Sequence, residues 1–248
     1  MSETLRVLTL NIHKGLSQFN RRMVIHELRD GLGALDPDIV FLQEVQGLND
    51  RFALRFAAWP GAQHEFLAGD RWQHVYARNA VYDHGHHGNA ILSRFRFVSF
   101  ENTDVSNHRF ERRGLLHTVV AIPGWRRNLH CVCVHLSLHE RGRGRQLEAI
   151  SGRLEEIASR DVPIIVAGDF NDWRHRATSI LERRLGLTEV SVARHGRAAR
   201  TFPSLLPFLQ LDRIYVRGFS VAATSVHRGK PWSLLSDHLA VSAELERG

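Results

Sequence analysis

The stretch Val162–Trp173, VPIIVAGDFNDW, decides the fold class and locates the first candidate functional residue. Its aliphatic residues form a nearly continuous apolar run that contains Pro163 and ends at Gly168, which is typical of a strand buried on both faces. Asp169 follows directly, so a carboxylate lies at the edge of an apolar core. Because burial removes water from a carboxylate, the sequence predicts that a cation, a hydrogen bond or a histidine compensates Asp169.

Apolar runs with a polar residue at one end recur along the whole chain. They read LRVLTLN, DPDIVFLQE, GNAILS, LHCVCVH, QLDRIYV and SDHLAVSAEL. Their polar end residues are Asn11, Glu44, Asn89, His135, Asp212, Asp237 and His238, and Asn171 lies two residues after Asp169. This recurrence predicts several buried strands whose ends carry the chemistry.

Helical segments alternate with these strands. We predict helices at about residues 21–35, at about residues 48–58 and at residues 144–160, where apolar residues recur at helical spacing. The stretch LLHTVVAIPGWRRNLHCVCVHL instead predicts two strands joined by a Pro123–Gly124 turn, so the sheet should be mixed. With no repeat, low-complexity tract or linker, residues 1–248 are interpreted as a single α/β domain.

Composition limits the classes of function. The formal net charge is +7 and the pI is about 10.3, with nearly all of the positive charge on arginine, which is compatible with an anionic partner or with arginine-rich genomic composition. No stretch is apolar enough for a membrane span, and the first residues do not resemble a signal peptide. Cys131 and Cys133 lie two residues apart in a predicted strand. Their side chains therefore point to the same face, and an ordinary disulfide cannot join them. These features predict a cytoplasmic protein.

The polar end residues form an oxygen-rich set. Four carboxylates (Glu44, Asp169, Asp212 and Asp237) occur with two asparagines (Asn11 and Asn171) and two histidines (His135 and His238). This mixture suits Mg²⁺ or Mn²⁺ better than zinc, because hard cations prefer oxygen ligands. The segment DHGHHGN also groups His84, His86 and His87, which we interpret as a flexible solvated loop rather than a zinc site.

Several motifs, taken in order, resemble those of the endonuclease/exonuclease/phosphatase superfamily, the DNase I-like hydrolases. They are TLNIHKG, DIVFLQEV, GNAILSRF, VHLSLHERGRGRQ, VAGDFNDW, LDRIYV and LLSDHLAV, and they extend from Leu5 into the last strand. The resemblance implies a four-layer α/β sandwich in which two mixed β-sheets pack face to face and helices cover both. All the polar end residues would then meet at one edge.

The resemblance also implies a role for each residue. Glu44 would bind the catalytic metal beside Asn11, and Asp237 would join it or hold a second ion. Asp169 and Asn171 would position the attacking water, and Asp212 would orient His238, which would contact the scissile phosphate or handle a proton. His135 would lie opposite, near the leaving group. The assignment of base and acid stays open.

Arginines beside these motifs are candidate phosphate ligands. Arg141, Arg143 and Arg145 lie between His135 and a predicted helix, and Arg113, after Arg112, precedes another strand. The alternative is a solvated basic loop that caps the helix. We also consider Asn89 a substrate contact. Trp173 and Trp232 flank the motifs, either to stack on substrate or to pack in the core.

The substrate is less determined than the chemistry. Abasic-site endonucleases of the superfamily carry an aspartate where this chain has His13, which argues against abasic-site repair. We expect a Mg²⁺-dependent or Mn²⁺-dependent nuclease, with hydrolysis of phospholipid headgroups or inositol phosphates as the alternative. The preference for nucleic acid depends on the basic charge, on the arginine-rich loop and on the lack of an evident apolar docking segment. A noncatalytic nucleic-acid binder is a third possibility, but it has no need of the acids and histidines.

Overall fold

The computed structural model of the protein describes residues 4–106, 111–157, 159, 161–174 and 176–247. In these residues the chain forms twelve strands. They are β1 (Thr4–Asn11), β2 (Ile39–Asn49), β3 (Gln73–Tyr82), β4 (Gly85–Ser93), β5 (Arg96–Asp104), β6 (Gly114–Ala121), β7 (Leu129–His135), β8 (Ile164–Asp169), β9 (Thr188–Glu189), β10 (Asp212–Arg217), β11 (Phe219–Val226) and β12 (Val241–Arg247).

The strands are divided between two mixed sheets of six. The first sheet has the order β11-β12-β1-β2-β4-β3 and the second has the order β5-β6-β7-β8-β10-β9. In the first, β1 is parallel to β2 and antiparallel to β12; in the second, β7 is parallel to β8, which is antiparallel to β10. The predicted turn at Pro123–Gly124 does join an antiparallel pair, β6 and β7.

Besides three 3-10 helices of three residues each, six α-helices accompany the sheets in the described residues. They are α1 (Ile25–Leu35), α2 (Asp50–Arg55), α3 (Gln63–Ala68), α4 (Glu140–Ile157), α5 (Arg176–Leu185) and α6 (Val190–His195). None of the helices that the structure describes has the length and apolar character needed to cross a bilayer.

The observed helix boundaries correct the predicted ones. The helix expected over residues 21–35 begins only at Ile25, and the one expected over residues 48–58 is shortened to α2 because β2 continues to Asn49. The Asn49 side chain then caps α2, accepting a hydrogen bond from the Phe52 N–H at 3.0 Å. The helix expected over residues 144–160 begins earlier, at Glu140; residues 158 and 160 of that prediction lie outside the described residues.

Buried side chains on both faces of the strands produce the four layers. Along β8, Ile165 and Ala167 pack between the two sheets, whereas Ile164 and Val166 pack on the opposite face against α4 and α5. On the first sheet, Leu8 of β1 and the other apolar side chains on the outer face of that sheet pack against α1 and α3. Successive strand residues point to opposite faces, so a strand between a second sheet and a helical layer must be apolar throughout. The predicted four-layer α/β sandwich is confirmed. Both cysteines are free thiols in the core between the sheets.

Strand directions bring the polar end residues to one edge. The register places His135, the last residue of β7, beside Asp169, the last residue of β8, and Asp169 beside Asp212, the first residue of β10. Asn11 likewise ends β1 next to Gln43 of its parallel neighbour β2. Carboxyl ends of parallel strands and amino ends of antiparallel strands share an edge, so these residues meet although they are distant in sequence.

Gly168 allows β7 and β8 to approach closely just before Asp169. Its φ is +147°, and a Cβ atom built there would lie 2.0 Å from the Val134 carbonyl oxygen. Any side chain would therefore push the end of β8 away from β7.

We expect Gly168→Ala to lower the free energy of unfolding by on the order of 3 kcal/mol, because the new methyl group collides with backbone atoms. Gly152→Ala in α4 is the matched control, since a Cβ atom there meets nothing within 4 Å. It should raise the free energy of unfolding by up to about 1 kcal/mol through helix propensity. Urea unfolding of both variants tests this, and equal stabilities would contradict the proposed close contact.

Candidate active site

A buried carboxylate and imidazole pair lies at the start of β10. The Asp212 carboxylate is 2.8 Å from Nδ1 of His238, and both side chains are buried. Burial lowers the pKa of His238, but the charge and hydrogen bond of Asp212, together with the charge of Asp169, raise it to about 10. His238 is therefore an imidazolium at neutral pH, and Asp212 fixes the orientation of its ring.

Asp169 has the compensating partners that its position required. Its Oδ2 accepts a hydrogen bond from Nδ2 of Asn11 at 3.2 Å and lies 3.5 Å from Nε2 of His135 and 3.9 Å from Nε2 of His238. Its Oδ1 accepts from the Asn171 backbone N–H at 2.9 Å. Burial raises the pKa of Asp169, His238 lowers it and Asp212 raises it, giving a value of about 6. This carboxylate is thus suited to exchange a proton near neutral pH.

Glu44 lies in an irregular part of β2 that directs its side chain into the site. The pairing of β2 with β4 shifts register between Leu42 and Val45, and Glu44 has a φ of +57°. Such a bulge re-aims a side chain at the edge of a sheet. Oε1 of Glu44 accepts from Nδ2 of Asn11 at 3.3 Å, and Oε2 lies 3.6 Å from Nζ of Lys14. Burial raises the pKa of Glu44, but His135, Lys14, His13 and the hydrogen bond from Asn11 together lower it by more, to about 2.

Asp237 lies at the same edge of the sheets and contacts the segment that follows β1. Its Oδ1 lies 3.4 Å from Nδ1 of His13, and the His13 backbone N–H donates to Oδ1 of Asn11 at 3.0 Å. Ser236 donates to the Asn11 carbonyl oxygen at 2.7 Å, which ties this segment to the end of β1. Asp237 and His238 precede β12 rather than opening it, so the sequence prediction placed that strand too early.

Asn11, Glu44 and Asp237 are the predicted metal ligands, and the structure links Asn11 directly to Glu44 and, through His13, to Asp237. The Glu44 carboxylate stays ionised, and it already accommodates the positive charge of Lys14. Amide and carboxylate oxygens are the ligands that Mg²⁺ and Mn²⁺ prefer. Among the described residues, the single group of three clustered acid or histidine ligand atoms is Asp169, Asp212 and His238. The hydrogen bond within that group makes His238 a cation itself and a poor metal ligand.

His135 and His87 contribute uncharged imidazoles. Burial and the charge of Arg113 hold the pKa of His135 well below its usual value. Burial likewise lowers the pKa of His87 to about 4, although Glu44 acts in the opposite direction. Both rings are therefore neutral at physiological pH, in contrast to His238.

Asn89 and Asn171 are held by backbone carbonyl groups. Nδ2 of Asn89 donates to the Gly114 carbonyl oxygen at 3.0 Å, and Asn89 is buried within β4 rather than at its start. Nδ2 of Asn171 donates to the Leu136 carbonyl oxygen at 2.9 Å. Both side chains are therefore fixed, and they tie strands of the site to one another.

The four predicted phosphate-binding arginines occupy different environments. Arg141 and Arg145 are exposed on α4 and line a cavity of about 620 Å³ together with Arg113 and His87. Arg113 is partly tied down, since its Nε donates to the Leu136 carbonyl oxygen at 3.2 Å. Arg143 is buried and does not line this cavity: its Nη1 donates to the Ser137 carbonyl oxygen at 3.1 Å, and its guanidinium lies 4.5 Å from the centre of the Trp173 ring.

The histidine-rich segment is ordered strand, not the solvated loop that the sequence predicted. His86 and His87 belong to β4. Their side chains separate, since Nδ1 of His86 lies 2.9 Å from the Tyr76 hydroxyl whereas the His87 ring stacks on Tyr82. The alternation of side chains along a strand directs these two neighbouring histidines to different surroundings.

Other residues were missed or left open at the sequence level. Trp232 packs in the core against α1, whereas Trp173 is 43% exposed. Lys14 and His13 belong to the motif NIHKG, which was the available signal for their contacts with Glu44 and Asp237. Nothing in the pattern indicated that the Phe202 ring would lie 4.8 Å from the His238 ring.

Comparisons with known proteins identify the family and the fold. The model of the Endonuclease/Exonuclease/phosphatase family matches residues 8–238. The uncharacterized protein YbhP of Escherichia coli (strain K12) is 46% identical over 242 residues, covering 97% of this chain and 95% of YbhP.

Solved structures show the same fold at lower identity. An endonuclease/exonuclease/phosphatase from Beutenbergia cavernae has a TM-score of 0.76 and 21% identity over 99% of this chain and 72% of its own. TDP2 of D. rerio in complex with a single-strand DNA product has a TM-score of 0.74 and 19% identity, covering 98% and 99%. A mannosyl-6-phosphatase from Bacteroides thetaiotaomicron has a TM-score of 0.74 and 17% identity, covering 97% and 99%. The chain belongs to the endonuclease/exonuclease/phosphatase family of hydrolases.

Proposed function

We propose that this protein is a divalent-cation-dependent hydrolase of phosphodiester bonds. The observation that carries the proposal is the continuous chain of contacts Asp212–His238–Asp169–Asn11–Glu44, which joins the two sheets at one edge. It combines an imidazolium, a carboxylate with a pKa of about 6 and a carboxylate that stays ionised. A phosphodiester hydrolase needs a group for each of these tasks: proton transfer, stabilisation of anionic oxygens and cation binding.

Glu44, Asn11 and Asp237 would hold the cation. A bound Mg²⁺ or Mn²⁺ would neutralise charge on the phosphate and stabilise the transition state. Asp237 is linked to this set through His13 and Asn11.

Asp169 and His238 would handle the water and the phosphate. Asp169, held by Asn11 and the Asn171 N–H, would orient the attacking water and accept its proton. The His238 imidazolium, held by Asp212 through Nδ1, would donate from Nε2 to a phosphate oxygen. His135, neutral and 3.5 Å from Asp169, would lie on the side of the leaving group.

Support for a nucleic-acid substrate comes from the basic cavity beside this centre. Arg141 and Arg145 are exposed there, and His87 connects the cavity to the surroundings of Glu44. Arg143 does not line this cavity, since it is buried and its Nη1 donates to the carbonyl oxygens of Ser137 and Leu138. The cavity therefore supports recognition of one further anionic group more directly than it supports a long strand.

Removal of divalent cations should abolish hydrolysis of bis(p-nitrophenyl) phosphate, because the proposed ligands are oxygens that act through a bound cation. Addition of Mg²⁺ or Mn²⁺ after EDTA treatment should restore turnover. Isothermal titration with each cation provides a readout independent of activity. Full turnover in excess EDTA, with no metal found by elemental analysis, would show that the assignment is wrong.

Glu44→Gln should weaken cation binding and lower kcat/KM by roughly 100-fold or more, since an amide cannot supply the negative charge. Glu156→Gln is the matched control, because it makes the same chemical change at an exposed position on α4. It should leave both properties unchanged. Unaltered cation affinity in a folded Glu44→Gln variant would remove Glu44 from the metal site.

Asp212→Asn and His238→Ala should each lower kcat on the order of 10²- to 10⁴-fold, because the ring loses either its orientation or its proton. The double variant should lose little more than either single one, since the two residues act as a unit. Circular dichroism controls for folding. Strictly multiplicative losses would mean that the residues act independently.

A further inference from the structure

A hairpin at residues 201–209 presents apolar side chains to solvent beside the candidate active site. We call it the rim hairpin. The Thr201 N–H donates to the Leu209 carbonyl oxygen at 2.8 Å, and the Phe208 N–H donates to the Phe202 carbonyl oxygen at 3.0 Å. At its tip Leu205 is 58% exposed, Leu206 is 76% exposed and Phe208 is 60% exposed. Large apolar side chains grouped in this way are unusual on a surface that meets only water.

Buried hydrogen bonds hold the rim hairpin in place. The Ser204 N–H donates to the Asp237 carbonyl oxygen at 2.7 Å, and the Ser204 hydroxyl donates to the Ser236 carbonyl oxygen at 2.7 Å. The Phe202 ring lies 4.8 Å from the His238 ring. The apolar tip is therefore anchored directly to the segment that carries Asp237 and His238, and whatever covers the tip lies next to the reacting groups.

Basic side chains surround the root of the rim hairpin. Arg197, Arg200 and Arg228 are exposed and line a cavity of about 600 Å³, to which Pro207 and Gln210 of the same segment also contribute. Arg228 donates to the Arg200 carbonyl oxygen at 3.5 Å, which keeps the two side by side. Apolar residues at a tip with arginines behind them match a bilayer surface, where acyl chains lie beneath anionic headgroups.

We propose that the rim hairpin docks the protein on an anionic lipid surface, so that the diester it cleaves is carried by a lipid. The identity of the substrate rests on the function proposed above, whereas the docking itself does not. The leucines of the tip insert into the membrane–water interface, and the arginines bind lipid phosphates. Two of the three exposed side chains at the tip, Leu205 and Leu206, are aliphatic, which favours this occupant over nucleic acid, because bases stack on aromatic or guanidinium faces and Phe208 alone at the tip offers one.

Binding to vesicles in the presence of EDTA tests the docking without turnover. The protein should co-sediment with equimolar phosphatidylcholine and phosphatidylglycerol vesicles and only weakly with phosphatidylcholine alone. The double variant Leu205→Ser/Leu206→Ser should lower the partition coefficient about tenfold or more. Arg200→Gln and Arg228→Gln should each lower it roughly fivefold, with the effect decreasing at high salt.

Two residues of β5 supply matched controls. Phe100 is 63% exposed and pairs with Thr118 in mid-strand, and Arg96 pairs with Ala121 at the end of β6 remote from the site. Phe100→Ser and Arg96→Gln should bind vesicles as the unaltered protein does. Equal losses in these controls, or no loss in the leucine variant, would overturn the proposal.

Turnover separates failure of this proposal from failure of the proposed function. The leucine variant should hydrolyse soluble bis(p-nitrophenyl) phosphate normally while its vesicle binding falls. Hydrolysis of the soluble diester without any vesicle binding would refute only the docking. If the leucine variant instead loses affinity for single-stranded DNA and no vesicle binding occurs, the rim hairpin binds nucleic acid and the lipid proposal is wrong.

Discussion

The burial of Asp169 at the end of an apolar strand is the constraint on which the rest of the site depends. A carboxylate at that position is unfavourable without partners; the Asn171 N–H supplies one locally, and Asn11, His135 and His238 supply the others from distant segments. Each partner comes from a different segment of the chain. The fold is therefore required for the chemistry, because no local segment could assemble these groups.

Burial also gives similar side chains different proton affinities. Asp169 has a pKa of about 6, whereas Glu44, which lies near Lys14 and accepts a hydrogen bond from Asn11, has a pKa of about 2. His238 is held as an imidazolium by Asp212, whereas His135 is neutral because it is buried and Arg113 lies near it. Two carboxylates and two imidazoles thus differ in protonation state, since each environment stabilises a different one.

The sequence was sufficient to predict the four layers and to single out the polar residues, but it did not predict the contacts that those residues make. The unbroken apolar run before Asp169 requires cover on both faces, so the sandwich could be predicted from it. The convergence of Glu44 depended on a register shift in β2 that leaves no local signal. Arg143 looked equivalent to Arg141 and Arg145, and only helix phase decided that it would be buried while the others face the cavity. Side-chain direction follows from three-dimensional packing, which single-residue patterns do not encode.

Adjacent residues of strand β10 contribute to the candidate active site and to the packing of the helical layer. Asp212 points toward His238, and the next residue, Arg213, points to the opposite face, where it contacts the Asp172 carboxylate at 3.4 Å and the Tyr215 hydroxyl at 3.0 Å. Asp172 in turn accepts from the Ala177 N–H at 2.7 Å and so holds α5 against the turn that carries Asn171. Because adjacent residues of one strand face the candidate active site and the helical layer, movement of either layer would shift Asp212 and with it His238. The rim hairpin is attached through Ser204 to the segment that carries Asp237 and His238, so a displacement of the hairpin would also reach the groups around Asp169.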